Sequence, residues 1–87
     1  MSVAEEQLPK IMHIDDDEEL LHLFYLSFEK YLNIKQSLNL EEAIDLIKEE
    51  EFDAVITDYE MPGFNGLDVL KAVKEINPDL PVIFYTG

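Results

Sequence analysis

Hydrophobic residues along this chain fall into two kinds of segment that take turns. Short apolar runs come first: Lys10 to Ile14 ("KIMHI"), Phe52 to Thr57, and Pro81 to Tyr85 ("PVIFY"). Each is four to six residues long and bounded by acids, glycine or proline, which predicts buried strands. Asn33 to Leu38 ("NIKQSL") alternates more weakly and predicts an edge strand. Between these runs the period lengthens to that of a helix. Leu20, Phe24 and Phe28 recur at i, i+4 and i+8 within Asp17 to Tyr31, with Leu21 and Tyr31 flanking the stripe. Leu40, Ala43, Ile44 and Ile47 share a face of the second helix, and Leu67, Leu70, Val73 and Ile76 a stripe of the third, Gly66 to Asn77. The starts and stops agree. Asp16 or Asp17 can cap the first helix, Asn39 with Glu42 has capping-box spacing, and Pro78 ends the third. Residues 1–9 show no period and are expected to form a mobile tail; residues 10–87 form one domain.

The resulting order, β-α-β-α-β-α-β, implies a parallel sheet with right-handed crossovers. In such sheets ligands bind beyond the carboxyl ends of the strands. That rule collects Asp15 and Asp16 after the first strand, Asp58 after the third, and Thr86 after the fourth. Asp58 heads a segment, Asp58 to Asn65, that contains Pro62 and Gly63 and is followed by Gly66; it reads as a loop held open for close backbone approach.

Composition removes several classes of function. The chain has 87 residues, 20 acids against 6 bases, a net charge of −14 and no cysteine. All the bases are lysines. Nucleic-acid binding needs a basic footprint, which is missing, and an anionic membrane surface would repel the chain. No apolar run is long enough to span a bilayer and the acidic N-terminus is not a signal peptide. A disulfide framework and a thiolate metal site are excluded, which suits a reducing cytoplasm.

Three carboxylates at one sheet edge raise one another's pKa unless a cation neutralises them. A hard divalent ion such as Mg²⁺ takes a few carboxylates, keeps waters and leaves room for a phosphoryl oxygen. A carboxylate can itself be the nucleophile that forms an aspartyl-phosphate, and Asp58 is placed for that role. Asp16 would hold the metal, and Thr86 can donate a hydrogen bond to a phosphoryl oxygen.

From Lys10 to Gly87 the sequence resembles the receiver domains of two-component response regulators. The resemblance is carried by "HIDDDEELL", "VITDYEMPGFNGLDVL" and "PVIFYTG", in that order and on those elements. It implies a flavodoxin-like three-layer α/β fold with a parallel sheet in the order 2-1-3-4. It also implies Asp58 as phospho-acceptor, and Mg²⁺ (or Mn²⁺) held by Asp16, Asp58 and the main-chain carbonyl of Glu60. Asp15 would reach the metal mostly through water, and Thr86 would be the switch hydroxyl. The implied partners are a sensor histidine kinase or phosphotransfer protein and an output domain or effector. The same resemblance implies a further helix, strand and helix past Thr86, with a lysine and an aromatic switch residue. These are expected to lie beyond Gly87, so the chain reads as a C-terminally incomplete receiver. Lys71 and Lys74, on the third helix, cannot stand in for that lysine. Asn65 stands where aspartate is commoner, with little expected consequence.

Other readings of the same residues were weighed. "DDDEE" alone could be an acidic helix start. It is not an EF-hand, because Leu20 and Leu26 occupy the glycine and glutamate positions. His13 reads as a structural histidine rather than a ligand, His22 as exposed, and Met61 and Phe64 as packing the loop down. "DYE" also fits a haloacid-dehalogenase-like phosphatase, and a pseudo-receiver that does not use phosphorylation is a third reading. The topology finally leaves the uncharged fourth strand as an edge, through which the 87-residue chain is expected to self-associate.

Overall fold

The structure is a computed structural model that describes residues 8–85. β1 (Lys10–Ile14) starts where Asp53 clamps it: the Lys10 N–H donates to Asp53 Oδ2 (2.7 Å) and the Asp53 N–H to the Lys10 carbonyl (2.7 Å). α1 (Glu18–Phe28) follows, capped by Asp17, whose side chain accepts from the Glu19 and Leu20 N–H groups; Glu18 and Glu19 in its first turn suit the helix dipole. β2 (Asn33–Ser37) leads to α2 (Leu40–Glu49). Asn39 caps α2 through the Glu42 N–H, but its own N–H donates to Ser37 Oγ, so the capping box predicted with Glu42 is replaced by a serine turn. β3 (Ala54–Asp58) ends on the acid itself, so Phe52 and Asp53, expected in this strand, lie outside it.

The segment read as an open loop is a tight hairpin. β4 (Glu60–Met61) and β5 (Phe64–Asn65) pair across Pro62 and Gly63, and Gly63 has φ of 85°. Proline followed by a positive-φ glycine is the pattern of a type II turn, whose twist splays strands apart, which keeps the hairpin short. α3 (Gly66–Ile76) and β6 (Val82–Tyr85) complete the chain.

The sheet has the order β2-β1-β3-β6 with every pair parallel, as expected from the sequence with β6 as the fourth strand. Register decides the faces. Met12, Ile14, Val55 and Thr57 point to the side of α2 and α3, where Met12, Ile14, Ala43, Ile47, Val55, Met61, Val69, Val73 and Leu80 form the core. Met61 is buried and Phe64 half-buried against that core, so both pack the hairpin down as expected. On α3 the buried stripe is Gly66, Val69 and Val73, with Leu70 and Ile76 partly buried; Leu67, expected in the stripe, is exposed. The hairpin brings Gly66 itself against β6, and this rotates the buried face by about one residue.

The other face carries Ile11, His13, Ile34 and Ile56, and only α1 lies over it among the described residues. This explains the largest departure from the sequence reading. Of α1 only Leu21 is buried, and Phe24 half-buried, whereas Leu20, Phe28 and the following Tyr31 are exposed. The stripe Leu20-Phe24-Phe28 exists, but it borders a part of the sheet without a second covering helix.

Candidate functional site

β1 and β3 deliver acids to the same edge because they are adjacent and in register, Ile14 opposite Thr57. Asp15 directly follows β1 and its N–H donates to the Ser37 carbonyl (3.2 Å), so β2 holds it as well. Its carboxylate is almost wholly buried. Oδ1 accepts from the Asp17 N–H (3.0 Å), and Oδ2 is buried with no partner. Asp16 is exposed and Asp58 half-buried. One ligand atom from each of Asp15, Asp16 and Asp58 lies within 4.8 Å of the others.

Such crowding has a cost. Burial pushes the Asp15 carboxyl above the usual carboxylate range. The Asp17 N–H pulls it back, and the negative charge of Asp58 and the neighbouring Asp16 push it up again. A partnerless buried oxygen, two further carboxylates and mutual repulsion together describe a donor set for a hard cation. The residues present therefore fit Mg²⁺ or Mn²⁺.

The hairpin shapes the other side of the site. The Gly66 N–H donates to the Tyr59 carbonyl (2.6 Å), so the adjacent pair Glu60–Asn65 is of the non-hydrogen-bonded kind. The Glu60 carbonyl is thereby left out of the β4–β5 ladder and available to a ligand. A Cβ on Gly66 would lie 2.7 Å from Phe84 Cε1 and 3.1 Å from the Tyr59 Cα, so glycine there permits the close approach of hairpin, α3 and β6. Of the two loop glycines, only Gly66 serves close approach; Gly63 serves the turn.

Two features escaped the sequence reading. The buried Thr57 hydroxyl donates to the Asp58 carbonyl (3.0 Å), which pins the backbone that carries Asp58; a threonine before the acid was the available signal. Asn65, treated as inconsequential, forms a full capping box with Asp68, each accepting from the other's N–H (3.0 and 2.9 Å). Thr86 lies outside the described residues. Lys74 donates to the Pro78 and Leu80 carbonyls (3.1 and 2.7 Å), in keeping with its exclusion as the site's cation. His13 is buried and His22 exposed, as expected.

Asp15, Asp16 and Asp58 at the carboxyl edge of a 2-1-3 parallel sheet, with a Met-Pro-Gly hairpin behind them, define an acidic phosphoryl-transfer pocket on a doubly wound scaffold. The chain belongs to the response regulator receiver domain family, whose model matches residues 11–87. A response regulator receiver domain protein from Clostridium thermocellum superposes with a TM-score of 0.85 at 32% identity, over 92% of this chain and 66% of that one. The complex of histidine kinase ThkA with response regulator protein TrrA aligns with a TM-score of 0.82 at 30% identity, covering 92% of this chain and 70% of that one. The autoinducer 1 sensor kinase/phosphatase LuxN of Vibrio campbellii is 29% identical over 82 residues, 93% of this chain. The chain spans only 10% of the length of that relative. Membership in this family, a signalling domain of two-component phosphorelays, sets aside the haloacid-dehalogenase-like alternative.

Proposed function

We propose that this chain accepts a phosphoryl group on Asp58 from a phosphohistidine of a sensor kinase or phosphotransfer protein, and that the phosphorylated form alters a surface read by an output domain or effector. The observation that carries this reading is the convergence of three carboxylates within 4.8 Å at the sheet edge, with Asp58 half-buried and Asp15 behind it. The likeness to a response regulator solved with its histidine kinase supports the class of donor.

An Asp58 carboxylate oxygen attacks the phosphorus, the P–N bond to the donor imidazole breaks, and that imidazole takes up a proton as it leaves. Thr57 and the Gly66–Tyr59 hydrogen bond hold the Asp58 backbone still while this happens. Asp15, Asp16, Asp58 and the Glu60 carbonyl would hold the divalent cation, with Asp15 acting mostly through water. Bound there, the ion neutralises charge on the phosphoryl oxygens and on the acids. Thr86 would then donate its hydroxyl to a phosphoryl oxygen. The domain catalyses only its own phosphorylation and dephosphorylation. No helix among the described residues is long and apolar enough to cross a membrane. A cytoplasmic location belongs to the same reading, supported by the absence of cysteine.

The test is intact-mass analysis after prolonged incubation with acetyl phosphate and Mg²⁺. One added phosphoryl group is expected, absent in Asp58→Asn and absent without the cation. Label that persists in Asp58→Asn would move the acceptor elsewhere. No label on the wild type under these conditions would favour the pseudo-receiver.

A further inference from the structure

Among the described residues β6 pairs with β3 alone, so one side of β6 is open. The Val55 N–H donates to the Pro81 carbonyl (2.9 Å), with Val55 opposite Val82. In a parallel ladder of that phase, Ile83 and Tyr85 use their backbone groups toward β3, while Val82 and Phe84 direct theirs to the open side. The side chains there are large and apolar: Ile83 is 50% exposed, Phe84 40% and Tyr85 40%. Ile83 and Tyr85 share the face of α1, where Phe24 meets Tyr85 with ring centroids 6.3 Å apart, and Leu20 and Phe28 lie exposed one turn to either side of Phe24.

We propose that two copies of this chain associate through β6, antiparallel about a two-fold axis normal to the sheet, so that the two four-stranded sheets become one. The charge pattern singles out a second copy as the occupant. Identical strands laid side by side place like residues near one another, and like charges so placed repel. β1 carries Lys10, β2 Lys35 and β3 Asp58, whereas Val82–Tyr85 carries no charge. β6 is therefore the strand of this sheet that can meet itself without that penalty. Size agrees as well. Burying the open backbone edge with Ile83, Phe84, Tyr85, Leu20 and Phe28 approaches the roughly 800 Å² per partner of a standard interface. An isologous contact of this kind closes on itself and does not propagate.

The remainder of the molecule sets the sign of the salt dependence. With a net charge of −14, two copies repel at long range, and salt screens that repulsion beyond about 8–10 Å. A basic partner protein would show the reverse, binding more weakly as salt rises.

Sedimentation equilibrium of the 87-residue chain across concentration, at low and at 0.15 M salt, tests the proposal. A monomer–dimer equilibrium is expected, with a dissociation constant that falls as salt rises. Phe84→Pro removes an outward N–H while sparing those of Ile83 and Tyr85, and should raise the dissociation constant at least tenfold. Ile83→Lys leaves every backbone group in place, sets like charges together across the two-fold, and should do the same. Far-UV circular dichroism checks that both variants are folded, and Ile83→Lys decides alone if Phe84→Pro is not. A wild type that stays monomeric at high concentration, a dimer that loosens with salt, or a folded Phe84→Pro that dimerises normally would each overturn the proposal.

Discussion

His13 and Asp15 stand two residues apart on one strand end, and burial acts on them in opposite directions. The His13 ring is fully buried, 4.1 Å from the Phe24 ring centroid. The Gln36 amide NH₂ donates to the Leu21 carbonyl (2.6 Å) and to His13 Nδ1 (3.2 Å), so the neutral ring carries its proton on Nε2, where no partner meets it. A second proton would charge a ring with no water and no acid beside it, and burial lowers His13 from 6.5 to about 4. For a group whose folded pKa is depressed, stability is fully present above the unfolded value and declines as pH falls through the folded one. Between pH 6.5 and 4 this site alone should remove about 3 kcal/mol. Asp15, shifted upward, works the other way: its protonation on acidification relieves a buried charge. We therefore expect His13→Gln, followed by urea unfolding from pH 7 to 4, to lose stability less steeply than the wild type. Parallel curves would mean that His13 is not a buried neutral base.

At the scale of elements, what could be read from the sequence was what depends on neighbours along the chain. The strands at Lys10–Ile14 and Ala54–Asp58 are short apolar runs beside acids, and the Asp17 and Asn39 caps follow from local side-chain chemistry. What could not be read depends on partners distant in sequence. Whether Leu20 or Leu21 is buried is decided by what covers the sheet, and the helical period alone ranks them equally. The β4–β5 hairpin has two residues per strand, too few to leave a pattern, although Pro62-Gly63 announced its turn. Asn65 was legible and undervalued, because a residue compared only with a family's preference loses its local role. With both halves of the capping box formed, Asn65→Ala should lower stability by about 1 kcal/mol, whereas Asn65→Asp should change it by a few tenths. Chemical denaturation of the two variants checks this. Equal losses would show that the side-chain acceptor does not support α3.

For the whole molecule, the acid-rich composition and the pocket make two claims that a single experiment separates. A chain with 20 acids and 6 bases repels itself when folded, and among the described residues one ion pair, Lys10 with Glu50, offsets this. Any salt should therefore raise its melting temperature by screening. Asp15, Asp16 and Asp58 lie within 4.8 Å, well inside the screening length, so sodium chloride relieves them little. A divalent cation bound there adds RT ln(1 + [L]/Kd), about 1.4 kcal/mol at ten times Kd, and for a chain of this size 1 kcal/mol moves the melting temperature by roughly 4–8 °C. Mg²⁺ should thus stabilise the wild type beyond sodium chloride of equal ionic strength, and removing it with EDTA should reverse the gain. Asp15→Asn should behave differently in both arms. Its amide oxygen can still accept from the Asp17 N–H, and its NH₂ takes the place of the oxygen that lacks a partner, facing two carboxylates instead of repelling them. The variant should melt higher than the wild type without Mg²⁺ and gain nothing specific from it. Melting curves at low protein concentration keep association out of the comparison. If Mg²⁺ and sodium chloride act alike on the wild type, the three carboxylates are an acidic surface and not a metal site. If Asp15→Asn retains the Mg²⁺ increment, the buried acid takes no part in holding the ion.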